Sequence, residues 1–125
     1  MFREIKREIK KMVSDVVDLS YEIYPENAMF PHAVGFIRNS FYQEGLYNIV
    51  LDIDVWDRNQ STKNIDEISE KIVKRLDKWS FINDKVHFVA YLTNEFYVED
   101  KENTLRRKTC TFEVQARKRD YYGKM

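Results

Sequence analysis

The chain has 125 residues, 43% hydrophobic and 34% charged, with 21 basic and 21 acidic side chains. That balance describes one folded domain over residues 1–125 and excludes a disordered chain, while a net charge of zero argues against a dedicated nucleic-acid binder. The single cysteine, Cys110, excludes an internal disulfide or a Cys-based zinc site, and no apolar run approaches the ~20 residues of a membrane span.

Charge is unevenly spread: residues 1–62 carry 7 basic and 10 acidic side chains, and residues 63–125 carry 14 and 11. This is either ordinary surface scatter or a pair of opposite patches through which copies could dock head to tail. The start of the chain, Met1 to Lys6, lacks the apolar segment of a secretory leader. Phe2, Ile5, Ile9, Met12, Val16 and Leu19 step by three or four residues, which predicts a helix of about five turns with one apolar stripe. Its outer face carries Arg3, Lys6, Arg7, Lys10 and Lys11.

Ser20 to Pro31 reads as connecting chain, and His32 to Ser40 as a first strand. Gln43-Glu44-Gly45 is a turn into the central strand, so the two strands should form an antiparallel hairpin. In the segment Tyr47 to Trp56, the residues Tyr47, Ile49, Leu51, Ile53 and Val55 share one apolar face. Asn48, Asp52 and Asp54 share the other. After a polar loop, Asn64 and Glu67 have the spacing of a capping box, and Ile65, Ile68, Ile72, Leu76 and Trp79 form the stripe of a second helix.

Asn83-Asp84 is a turn before a third strand, Lys85 to Leu92. Thr93 to Leu105 is either an extended hairpin tip or a mobile loop, with Phe96, Tyr97 and Val98 set among charges. From Arg107 to Arg117 the chain alternates: Cys110, Phe112, Val114 and Ala116 face inward, and Thr109, Thr111, Glu113, Gln115 and Arg117 face outward. Residues 118–125 read as a flexible tail. The expected fold is therefore α+β, in the order α-β-β-α-β-β, with a four-stranded, mainly antiparallel sheet and two helices packed on one face.

Chemistry-bearing residues are few. Asp52 and Asp54, with Asp57 close by, could hold a divalent ion, but no further ligands or base accompany them. His32 and His87 each stand alone, and alternation with apolar neighbours makes Cys110 a buried, inert thiol. No catalytic residue, metal site or cofactor is expected. The bare sheet face, with Asp52, Asp54 and Trp56, instead suits a partner. Arg106, Arg107, Arg117, Arg119, Tyr121 and Tyr122 could grip phosphates and stack bases, discourage aggregation, or order on a protein partner.

The element order and several stretches resemble the tail-completion, or tail-terminator, proteins of long-tailed bacteriophages and prophages, also described as tail-to-head joining proteins. The stretches are Pro31-His32-Ala33-Val34, Leu51-Asp52-Ile53-Asp54-Val55-Trp56-Asp57 before a polar loop and the helix Ile65–Leu76, and a last strand opening with Arg106-Arg107. The resemblance implies a non-enzymatic virion protein, assembled in the bacterial cytoplasm, whose copies form a ring, usually hexameric, at the top of the tail tube. The ring would contact the tail-tube protein and the head-tail connector, and DNA would pass through it without specific binding.

On that reading Glu95, Phe96 and Tyr97 in the Thr93–Leu105 segment, together with the tail after Arg117, are candidate contacts with neighbours. Asp52 and Asp54 would lend the channel negative charge over which DNA slides. Two alternatives are a nucleic-acid-binding module using the open face and basic C-terminus, and a metal-dependent hydrolase centred on Asp52 and Asp54.

Overall fold

A computed structural model describes residues 1–23, 29–99 and 104–119. Its elements are α1 (Phe2–Val13), β1 (Leu19–Tyr21), β2 (His32–Gln43), β3 (Leu46–Arg58), α2 (Lys63–Leu76), β4 (Ser80–Ile82), β5 (Val86–Val98) and β6 (Leu105–Lys118). The expected four-stranded sheet is corrected to a six-stranded mixed sheet, curled into a half-barrel, in the order β1-β2-β3-β6-β5-β4. β1 and β2 are parallel, and every other neighbouring pair is antiparallel.

The two added strands are short edge pieces. β1 lies inside the stretch that periodicity assigned to the first helix and its connection. That helix ends at Val13, and Val16 and Val17 both donate backbone N–H bonds to Val13 O in the turn that follows. Ser14, Asp15 and Asp18 favour such turns because their side chains compete for backbone groups. Leu19 therefore belongs to a strand, although it continues the helical stripe in sequence. β4 follows a reversal at Lys78, whose φ of 66° lies in the left-handed region.

Alternation in β3 and β6 is as expected. Ile49, Leu51, Ile53 and Val55 are buried with Cys110, Phe112, Val114 and Ala116 in one core, completed by Ile5, Ile9 and Val13 of α1 and Ile65, Ile72 and Leu76 of α2. The hairpin turn also forms where expected. Glu44 (φ 50°) and Gly45 (φ 85°) both adopt left-handed conformations between the paired residues Gln43 and Leu46, the signature of a type I′ loop.

The second helix starts differently. Thr62, not Asn64, is its N-cap residue, and no side chain caps the backbone. Asn64 Nδ2 instead donates to the buried Asp57 Oδ2 (3.0 Å), and Thr62 Oγ1 donates to Asp66 Oδ2 (3.0 Å).

Two bulges bend the sheet. The β2–β3 register skips Arg38, and the β5–β6 register skips Thr93. Both lie beside one row of paired residues, Ile37, Leu51, Phe112 and Leu92. A bulge adds local twist and re-aims a side chain. The Thr93–Leu105 stretch resolves as an extended hairpin, with β5 running to Val98 and β6 starting at Leu105.

Gly35 is required by close packing. A Cβ there would lie 2.7 Å from Tyr21 Cε1. The Tyr21 ring is tethered because its hydroxyl donates to Lys6 O (2.9 Å), and burial pushes the phenol pKa up. Gly35→Ala is expected to cost about 2 kcal/mol through overpacking, measurable by urea unfolding.

Candidate assembly surface

α1 and α2 cover one face of the sheet, so the functional question concerns the other face and the sheet edges. On the uncovered face Asp54 sits opposite Thr109, and Asp52 opposite Thr111. Thr109 Oγ1 donates to Asp54 Oδ1 (2.5 Å), and Arg107 Nη2 donates to Asp54 Oδ2 (2.7 Å). Thr111 Oγ1 donates to Asp52 Oδ1 (2.7 Å), and Arg38 Nε reaches Asp52 Oδ2 at 2.5 Å. The same unit is built twice, each with a cross-strand threonine and an arginine closing over a carboxylate.

Asp52 and Asp54 are only 8% and 4% exposed, whereas the Arg38 side chain is 57% exposed. On this uncovered face both carboxylates are therefore buried and each is paired with an arginine. The Arg107 guanidinium also lies 4.5 Å from the centre of the Trp56 ring, a favourable cation–π placement. Phe36, Phe96, Val98 and Ile37 join these groups around an open groove of about 380 Å³. Arg38 was missed as a member of this group because strand periodicity says nothing about a residue lodged in a bulge.

The other candidate residues divide between surfaces. Phe96 and Arg117 share the uncovered face with Asp52, Asp54, Trp56 and Arg107, as their pairing with Thr109, His87 and the β3 residues requires. Glu95, Tyr97 and Arg106 alternate to the helix side. Tyr97 donates to Asp66 Oδ1 (2.6 Å), Lys108 lies 3.7 Å from Glu95, and Arg106 donates to Asn59 O (3.2 Å) and Gln60 O (2.7 Å). Burial pushes the Asp66 carboxyl up, but hydrogen bonds from Tyr97 and Thr62 and the Lys108 charge outweigh it and hold the pKa low. Arg119 donates its backbone N–H to Lys85 O (2.8 Å). Tyr121 and Tyr122 lie outside the described residues.

His32 is 2% exposed, with Ser20 Oγ 3.0 Å from Nε2. Burial lowers its pKa below the usual 6.5, against the opposing pull of Asp18. The unfolded chain then takes up the proton first, so this group contributes stability above about pH 6.5 that is lost as pH falls through the lowered folded value. Melting temperature should therefore drop between pH 7 and 5, and His32→Gln should flatten part of that slope. Burial pushes the Cys110 thiol up to about 12, which keeps it protonated and unreactive at neutral pH.

Among the described residues no group of three or more His, Cys, Asp or Glu side chains is placed to hold a metal ion. Among the described residues no helix is long and apolar enough to cross a membrane. What the chain presents is a polar-apolar groove and two long sheet edges.

This fold recurs in a virion. A chain in the solved structure of the virion of the native gene transfer agent (GTA) particle superposes with a TM-score of 0.61, over 87% of this chain and 84% of that one. Identity is 10%, so the likeness is one of fold. No protein-family model matches the chain, and no curated protein does.

Proposed function

We propose that this chain is a structural protein of a phage-like virion, and within it the tail-completion ring that caps the tail tube and joins tail to head. The observation that carries the coarser reading is the shared fold with a chain of the gene transfer agent virion across most of both lengths. The finer reading draws on the resemblance carried by Pro31–Val34, Leu51–Asp57 and the strand opening at Arg106. It gives the chain the tail-tube protein, the head-tail connector and further copies of itself as partners. It makes the role architectural rather than catalytic.

The uncovered face supports assembly over nucleic-acid grip. Its buried carboxylates already hold Arg38 and Arg107, which leaves less positive charge for phosphates than the arginine count suggests. DNA on this reading passes through the ring without specific binding.

Particles made without the chain should accumulate filled heads and separate tails, and a tagged chain should label the head-tail junction in electron micrographs. Deleting residues 119–125 should weaken joining while the melting temperature holds. Normal joined particles without the chain, or a label confined to the host cytoplasm, would refute the proposal. Submicromolar, steeply salt-dependent DNA affinity would favour the nucleic-acid-binding alternative.

A further inference from the structure

We propose that copies of this chain join edge to edge. The outer edge of β2 over residues 39–43 in one copy pairs antiparallel with the outer edge of β5 over residues 94–98 in the next, with Phe41 opposite Phe96. The inference rests on the ring reading above and names the surface that would build the ring.

Both edges are long and uncovered. β1 pairs with β2 only at Ala33–Gly35, and β4 pairs with β5 only at His87–Val89, continued by the Lys78 N–H to Ala90 O bond and the Leu92 N–H to Asp77 Oδ1 bond. Past those points, among the described residues, no strand pairs with either outer edge. Each edge also exposes aromatic rings: Phe41 and Tyr42 are 59% and 63% exposed, and Phe96 and Tyr97 are 40% and 56%. An apolar edge strand of this length is a template for another strand.

The backbone alternation specifies the register. In β2, the Ala33 N–H bonds outward to Asp18 O and Gly35 O accepts outward from Glu22 N–H. Every second residue points out, and the bulge at Arg38 shifts the alternation so that Ser40 and Tyr42 do. In β5, Ala90 and Leu92 point out, and the bulge at Thr93 moves the pattern to Glu95 and Tyr97.

With Phe41 opposite Phe96, Ser40 faces Tyr97 and Tyr42 faces Glu95. All four are then outward-pointing residues, and each facing pair can exchange two backbone bonds. Phe41 and Phe96 form the close, non-hydrogen-bonded pair between them, both on the uncovered face, since their partners within the sheet are Asn48 and Thr109. In the single chain the Ser40 N–H is accepted locally by Asn39 Oδ1 (2.8 Å), as suits an edge donor without a strand partner.

The two edges differ, so the contact is head to tail and propagates into a ring or a filament. Within one copy Phe41 is level with Val89, about six rungs from Phe96, so successive copies shift by about 20 Å along the strands. Four strands per repeat span about 19 Å across. That ratio corresponds to a strand tilt of about 45°, at the steep end of the range found in closed barrels.

The test uses disulfide trapping of the full chain, with Cys110 buried and out of reach. Phe41→Cys and Phe96→Cys chains are mixed, and Lys10→Cys with Glu70→Cys, on exposed helix surfaces, serves as control. The seam holds its thiols at millimolar effective concentration, so the mixed dimer should form roughly 100-fold faster than the control. The double variant F41C/F96C should give a ladder ending at the closed ring.

Ser40→Pro removes an outward N–H that the sheet does not use, so it should keep the melting temperature yet abolish the ladder and lower the solution mass. Rings seen by mass without a ladder would overturn the seam and leave the ring standing. A ladder untouched by Ser40→Pro would mark random collision and overturn it as well. A chain monomeric at every concentration, with no ladder, overturns the seam, while labelling of the head-tail junction decides the ring separately.

Discussion

Asp54→Ala is expected to lower the unfolding free energy by about 3 kcal/mol, a fall in Tm of roughly 10 °C. Asp54 accepts from Thr109 and Arg107, and at 4% exposure no water can replace it easily. Removing it leaves a threonine hydroxyl and a guanidinium without their acceptor, and the cost comes mainly from those abandoned donors. Asp54→Asn keeps an acceptor for Thr109 and loses only the charge, so it should cost less. Adding Arg107→Leu to Asp54→Ala should restore part of the loss, which a double-mutant cycle in urea would measure. Were Asp54 a solvated surface carboxylate, as a reading of strand alternation alone allows, the same substitution would change stability by less than about 0.5 kcal/mol.

The largest loss is expected from Phe112→Ala, about 4 kcal/mol with a Tm lower by roughly 15 °C. Phe112 is fully buried in β6, flanked in its row by Leu51 and Leu92, and it faces the core shared with both helices. The cavity opens beside the two bulges, where the strands are already bent and least able to close over it. Phe112→Leu should cost roughly half as much by leaving a smaller void. A calorimetric scan of the pair separates cavity formation from a general loss of folding. Equal Tm values for both variants would show that the aromatic ring, not volume, matters there.

These residues also show what the sequence could and could not disclose. Ile49 to Val55 and Cys110 to Ala116 alternate strictly because each strand has one face in the core, so the central pair was legible. α2 was legible for the same reason at a different period. β1 and β4, at three residues each, are too short to show any period, and Leu19 also satisfies a helical stripe. The outer part of β5 left hairpin tip and mobile loop both open, because a sheet edge need not bury alternate residues.

At the candidate surface, the residue types at Asp52, Asp54 and Arg107 were legible but their pairing was not. It depends on register across β2, β3 and β6, and on Arg38 being placed by a bulge. The resemblance to tail-completion proteins pointed towards virions without a sharp motif, and the fold shared with the gene transfer agent chain extends no further than architecture.

The extra residue Thr93 has a consequence for tolerance to deletion. Its hydroxyl donates to Thr111 O (3.1 Å), and the pairing with β6 passes over it. Excising Thr93 alone would join Leu92 to Asn94 in plain alternation, opposite Phe112 and Thr111, so the bend would be lost while Phe96 stayed on the groove side and Tyr97 on the helix side. A frame-preserving loss of that one codon would straighten the strand and spare the sidedness of the surface beyond it.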